Sequence, residues 1–313
     1  MLDALSRTLF HSLAGSRTIE KLASRYGMSR PTSFGRRFIA GESLDEAIAA
    51  ARAIQSNGMR VTLDQLGESV TTLAAADAAT RVYLALISAI VASGVERNVS
   101  IKLSQLGLEI DRAVCTDNVR RILETSRPHG FFVRIDMEAS PTVPMTLEIL
   151  NTLWDHGYRH LGPVLQAALY RSEEDARALG AKGMRIRIVK GAYKEPKSVA
   201  HQSKADVDAA YQRIMEGLLR DGAFPAIATH DMALIEAAKR FATEHGIARD
   251  RFEFQMLYGI RRDLQATLVS EGFGMRLYVP FGKQWFPYFM RRLGERPANV
   301  GFVLRALIQD RGR

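Results

Sequence analysis

Beyond residue 58 the chain alternates short runs of β-branched and aromatic residues with longer segments whose apolar positions recur every three to four residues. The short runs are residues 59–63 (MRVTL), 99–103 (VSIKL), 131–136 (FFVRID), 162–166 (GPVLQ), 185–190 (RIRIVK), 224–229 (FPAIAT), 252–257 (FEFQML) and 275–279 (MRLYV). Gly, Pro, Asn or Asp bounds them, so the pattern predicts eight strands. Helical periodicity over 74–93, 116–126, 145–156, 173–182, 206–220, 233–245 and 261–270 predicts a helix between each pair of strands. A last helical segment, 285–308, is interrupted by Pro297. Eight strands each followed by a helix are the order of a (β/α)8 barrel. An open doubly wound sheet would carry a glycine-rich phosphate turn after its first strand, but DQLGES follows Leu63. No Pro-rich or Gly/Ser-rich linker divides the chain. The expected organisation is a helical segment, residues 1–58, packed on a catalytic α/β barrel, residues 59–313.

Composition narrows the class further. The 313 residues are 47% hydrophobic and 25% charged, ordinary for a globular protein with a large core. One cysteine, Cys115, excludes an internal disulfide framework and fits a reducing compartment; it falls between strand 2 and its helix and reads as inert. The longest mostly apolar stretch, 82–95, is too short to span a bilayer. The N-terminus lacks the basic and apolar regions of a secretory signal. It reads instead as an amphipathic helix, with Leu2, Leu5, Leu9 and Leu13 on one stripe. The formal net charge is +9, and the excess of basic residues lies in 1–40 and 276–313. Such ends would attract an anionic membrane face or nucleic acid, but a solvated surface is the simpler reading. No helix-turn-helix, zinc-finger or RNA-recognition signature is present.

Barrel enzymes place catalytic groups at the C-terminal ends of their strands. The corresponding positions here are polar: Lys102, Asp136, Glu138, Gln166, Arg187, Lys190, Tyr193, Thr229, His230, Asp231, Gln255, Tyr258 and Tyr278. In the last segment Arg291 and Arg292 are adjacent, and Glu295 lies within pairing distance along a helix. Two guanidinium groups can clamp a carboxylate bidentately, although a surface salt bridge is the plainer alternative. Lys102 or Lys190 at a strand end would also suit an aldolase working through a lysine Schiff base. His156 and His160 are four apart, but Gly157 interrupts them and no HExxH pattern is present, so a structural role is the better reading.

Several segments together resemble proline dehydrogenase (proline oxidase), in its monofunctional bacterial form. They are RIVKGAY (187–193), RLYVPFG (276–282) and PYFMRRLGERPAN (287–299), with IKLSQLG (101–107), VRIDME (133–138), VLQAALYRS (164–172) and EFQMLYGIRRDL (253–264) in the same order. The resemblance covers roughly residues 40–310. It implies a distorted (β/α)8 barrel that binds FAD, oxidises L-proline to Δ1-pyrroline-5-carboxylate and passes electrons to a membrane quinone. It implies a cytoplasmic protein with a peripheral contact at the inner membrane face, and no nucleic-acid partner. Carried over residue by residue, Lys102, Arg291 and Arg292 resemble the groups that hold the proline carboxylate, and Asp136 the active-site aspartate. Ala192, Tyr193, Leu257 and Tyr278 resemble the wall around the proline ring. Met137, Gln166, Arg187, Val189, Gly191, Thr229, His230 and Glu295 resemble the FAD site. Lys204 and Asp208 fit a K-x-x-[TV]-D pattern in which the lysine approaches the cofactor. Residues 194–203 are longer and less patterned than their neighbours, and residues 1–40 match no known pattern.

Overall fold

The computed structural model describes Met28 and residues 34–295, with side chains through Met290. Eight parallel strands close into a barrel in sequence order: β1 (Arg60–Gln65), β2 (Asn98–Ile101), β3 (Phe132–Ile135), β4 (Leu161–Gln166), β5 (Arg187–Val189), β6 (Ala226–Ala228), β7 (Glu253–Leu257) and β8 (Gly274–Phe281). The β8 strand pairs with β1, setting Thr62 opposite Tyr278 and Asp64 opposite Pro280. On its other edge β1 sets Asp64 opposite Ser100 of β2.

Helices α1 (Leu44–Gln55), α2 (Leu73–Ser93), α3 (Arg112–Ser126), α4 (Val143–Asp155), α5 (Ser172–Ala181), α6 (Lys204–Asp221), α7 (Met232–Glu244), α8 (Arg262–Ser270) and α9 (Trp285–Glu295) accompany the strands. Their starts follow local chemistry. The side chains of Thr72, Asp111, Ser203 and Asp231 accept from the orphan N–H groups of the first turns of α2, α3, α6 and α7. Ser43 and Glu46 form a reciprocal capping box on α1. Gly94 ends α2 in the left-handed conformation, where a side chain would be strained.

The main core lies between the strands and the helices, where Val61, Leu63, Ile101, Ile135, Ile188 and Phe254 are fully buried. A second apolar cluster sits beside the end of β1, where Leu66 meets Phe38, Ile39, Ile260, Trp285, Phe286 and Phe289. It fixes α9 against the segment before α1, and the Trp285 indole donates to Glu42 at 3.0 Å.

The barrel interior holds charge rather than apolar layers. Near the N-terminal ends of the strands, Arg276 grips Glu253 through two bonds of 2.7 and 3.1 Å. The same guanidinium reaches Glu96 at 2.9 Å and the Val61 carbonyl at 2.7 Å. Arg134 lies beside them with its charge buried. It needs Gly162 on β4, where a Cβ would stand 3.1 Å from the Arg134 guanidinium and 2.2 Å from the Arg185 carbonyl.

The strand positions follow the sequence pattern with shifts that matter. The first strand runs to Gln65, two residues beyond the expected end, and so includes Asp64. Helix α3 starts at Arg112, so Cys115 belongs to its first turn rather than to a loop. There it is buried, and burial beside Glu138 pushes its thiol up to about 12, which fits an inert residue. The apolar stretch expected over 82–95 begins earlier, at Leu73, and the whole helix is long and apolar enough by composition to cross a membrane. In the barrel, α2 instead turns Ala76, Ala79, Tyr83, Leu86, Ile87 and Ile90 into the core.

Candidate active site

Side chains from β1, the start of β5 and the middle of β8, with those at and just beyond the ends of β2 and β3, converge on one knot of charge. Asp136 follows β3, its N–H still bonded to the Ile101 carbonyl at 2.9 Å, so the sheet holds it firmly. One carboxylate oxygen accepts from Ser100 at 2.9 Å and from Arg187 at 3.0 Å. The other accepts from Tyr278 at 2.8 Å and from Lys102 at 3.3 Å. Burial alone would raise the Asp136 pKa, but Lys102 and Arg187 outweigh it and hold the carboxyl below the usual range. Asp136 is therefore a fixed anion.

Lys102 leaves β2 in an extended conformation, ahead of a short 3-10 turn over Leu103–Leu106. Its ammonium donates to Asp64 at 2.9 Å and to the Tyr278 hydroxyl at 2.9 Å, besides Asp136. Burial lowers its affinity for a proton, but Asp64, Tyr278 and Asp136 overcome this and raise the pKa well above that of a free lysine. A lysine held so firmly as a cation is a poor Schiff-base nucleophile, which counts against an aldolase. Lys190 is also engaged, paired with Asp231 at 2.8 Å and with Asp208.

Arg187 spans the middle of the barrel, its guanidinium carbon 5.5 Å from the centre of the Tyr278 ring. Its Nε atom is buried with no hydrogen-bond partner among the described residues. The same holds for Oε1 of Gln255 on β7. Buried polar groups are normally satisfied, so both mark places where a polar ligand would find bonds. Gly191, just past β5, adopts φ +110°, and a Cβ there would press within 3.3 Å of the Gln166 side-chain oxygen. Gln166 itself is buried and donates to the Glu138 carbonyl at 2.9 Å. The bare backbone after β5 therefore lies close against the end of β4.

The other residues singled out in the sequence form a rim. Thr229 is buried after β6 and accepts from the Asp231 N–H at 3.1 Å. The Nε2 atom of His230 accepts from the Leu257 N–H at 3.1 Å, which orients the ring. Met137 is buried, while Val189 and Leu257 pack partly buried against the two apolar clusters. Ala192 and Tyr193 are exposed. Lys204 begins α6 with 74% of its side chain exposed and pairs with Asp208 and, at 3.2 Å, with Asp231. Lys190 and Lys204 hold the Asp231 carboxyl down at about 2. The backbone of Arg291, Arg292 and Glu295 belongs to α9, but their side chains lie outside the described residues.

Two members of the knot have no counterpart in the sequence reading. Asp64 is 1% exposed and Ser100 is fully buried. Glu138 accepts from both the N–H and the hydroxyl of Ser104, and that hydroxyl also receives the Ser69 N–H at 3.0 Å. This ties the loop after β1 to the ends of β2 and β3. The available signal is a charged residue inside a strand run, obscured at Asp64 because the apolar pattern stops at Leu63.

Comparison with known proteins identifies the family. The family model for proline dehydrogenase matches residues 47–305. The chain is 41% identical to proline dehydrogenase 2 of Bacillus subtilis, over 97% of this chain and 99% of that protein. It is also 41% identical to the proline dehydrogenase of Deinococcus radiodurans, over 99% of this chain and 100% of that protein. The structure of proline utilization A (PutA) from Bdellovibrio bacteriovorus, inactivated by N-propargylglycine, superposes with a TM-score of 0.78 at 28% identity. That match covers 83% of this chain and 32% of the larger protein. The chain belongs to the proline dehydrogenase family.

Proposed function

We propose that this proline dehydrogenase is an FAD enzyme that oxidises L-proline to Δ1-pyrroline-5-carboxylate and passes the electrons to a membrane quinone. The observation that carries this reading is the knot at the mouth: a fixed anion, Asp136, ringed by Lys102, Arg187, Tyr278 and Ser100. The Arg187 Nε, which has no hydrogen-bond partner among the described residues, lies behind it. The residues suit a flavin. Arg187 Nε and Gln255 Oε1 are buried groups in need of partners, and the backbone at Gly191 is bare because a side chain would meet Gln166 and Ala168. Arg187, Gln166, Val189, Gly191 and Met137 would hold the ring end. Thr229, His230 and Lys204 would hold the phosphate end, with Glu295 completing the site from α9. When bound, the flavin supplies the acceptor for the hydride equivalent lost from C5 of proline.

The chain supplies orientation and charge. Lys102, with Arg291 and Arg292 from α9, clamps the substrate carboxylate and aims the ring. These cations also disfavour the ammonium form of the substrate nitrogen, so the reactive free amine is easier to reach. Asp136 bridges Lys102 and Arg187, and Ala192, Tyr193, Leu257 and Tyr278 wall the ring. The basic residues toward both ends support a peripheral contact with an anionic membrane face, where a quinone is found. An anaerobic absorption spectrum tests the reading. Flavin bands near about 370 and 450 nm should appear in the purified protein and bleach when L-proline is added. An oxidised flavin that ignores L-proline would refute the substrate, and a colourless protein after reconstitution with FAD would refute the cofactor.

A further inference from the structure

We infer that Asp64 is a positioning residue for Lys102: it anchors the ammonium at the barrel mouth while the lysine's other hydrogen bonds are surrendered to a substrate carboxylate. The inference rests on the proline-oxidising reading of the same mouth.

Lys102 has three N–H groups and all are committed, to Asp64 at 2.9 Å, Tyr278 at 2.9 Å and Asp136 at 3.3 Å. A carboxylate can reach the ammonium only by displacing one of them. The three are not equivalent. Asp136 has the longest bond, and without Lys102 it still keeps Arg187 at 3.0 Å, Ser100 at 2.9 Å and Tyr278 at 2.8 Å. Tyr278 is neutral and loses one acceptor contact only. Asp64 is 1% exposed, and its single ion pair among the described residues is with Lys102. Its second oxygen, Oδ2, has no hydrogen-bond partner there. Breaking this pair would strand a buried carboxylate, the most costly of the three releases. The exchange with substrate therefore takes place on the Asp136 and Tyr278 side, and Asp64 stays in contact throughout.

The charges around Lys102 come from several elements. Asp64 faces it from β1, Tyr83 from α2, Asp136 and Glu138 from beyond β3, and Tyr278 from β8; Arg187 of β5 stands behind Asp136. Removing the Asp64 charge leaves burial to act against the ammonium with one fewer anion opposing it, so Lys102 should lose its proton at lower pH.

Cyclopentanecarboxylate is a suitable probe, since it carries the ring and the carboxylate but no titratable amine. Its Kd is measured by calorimetry on the purified full-length wild type, Asp64→Asn, Lys102→Met and the double variant, between pH 7 and 10. We expect Asp64→Asn to bind roughly tenfold more weakly at pH 7, the loss of one well-placed charged hydrogen bond. The gap should widen as pH rises, whereas wild-type affinity stays level. In the Lys102→Met background the Asp64 substitution should add nothing, because its effect runs through the lysine. Asp64→Thr carries the same expectations if Asp64→Asn fails to accumulate. Wild-type affinity and pH profile in Asp64→Asn would overturn the inference, as would a loss that adds in full to that of Lys102→Met. A wild type that binds the probe but does not oxidise L-proline would refute the proline reading while leaving the Asp64 comparison intact.

Discussion

Glu253→Gln separates the two charged layers of the barrel. Glu253 is 3% exposed and its carboxylate receives both Nε and Nη2 of Arg276, itself 5% exposed, with Gln255 and Arg60 as further donors. The substitution keeps the shape but removes the charge and turns one acceptor into an NH2 that faces the guanidinium. Breaking one side of a buried ion pair costs about 3–5 kcal/mol. The lower figure applies, because Arg276 retains Glu96 at 2.9 Å and the Val61 carbonyl at 2.7 Å. At about 2 °C per kcal/mol for a large domain, a loss of about 3 kcal/mol lowers Tm by roughly 6 °C. Scanning calorimetry reads the shift, and the KM for L-proline at 25 °C should match wild type because Lys102, Asp136 and Tyr278 make no bond to Glu253. Replacing Glu253 and Arg276 together with Met should recover much of the loss, since an apolar pair leaves no stranded charge. A Tm change below about 2 °C, or a raised KM for L-proline at unchanged folded fraction, would refute this division of labour.

The same residue gives a pH prediction. Burial raises the Glu253 pKa, but Arg276 overcomes it and holds the folded value below that of a free glutamate. A depressed acid contributes stability that is fully present above its unfolded pKa and is lost as pH falls through the folded one. The Tm gap between wild type and Glu253→Gln should therefore persist from pH 7 to about 5 and begin to close below about 4, shrinking as pH falls toward the depressed folded value; a gap that widens in acid would contradict it. Tyr278→Phe removes one oxygen that both donates to Asp136 and accepts from Lys102. Lys102 should swing, raising the KM for proline roughly tenfold, a charged hydrogen bond's worth, with little change in Tm. An unchanged KM would take Tyr278 out of the substrate site.

Asp64 shows where the site exceeded what the sequence made legible. As a sequence position it follows an apolar run and reads as the first polar residue of a loop. In the barrel it is the fifth residue of β1, opposite Ser100 and Pro280, and its charge is sealed beneath Lys102. Burial pushes its carboxyl up to about 6 even with the lysine in contact, an environment that no residue adjacent in sequence supplies. Lys102, Asp136, Arg187 and Tyr278, by contrast, were legible as polar residues at or near strand ends.

What the sequence determined by itself is local and periodic. A run of β-branched residues bounded by breakers prefers a strand, an apolar stripe prefers a helix, and eight such alternations leave few ways to bury both faces of every strand. The family motifs lie on those same strands. Only closure of the barrel decided which charges meet. Lys102 bonds to Tyr278 across 176 positions of sequence, and Arg276 to the Val61 carbonyl across 215. Such pairs are fixed by the register of β8 on β1 and by the packing that excludes water from the interior. Their energies depend on desolvation and on angstrom-scale geometry, quantities that exist only once the chain has closed on itself.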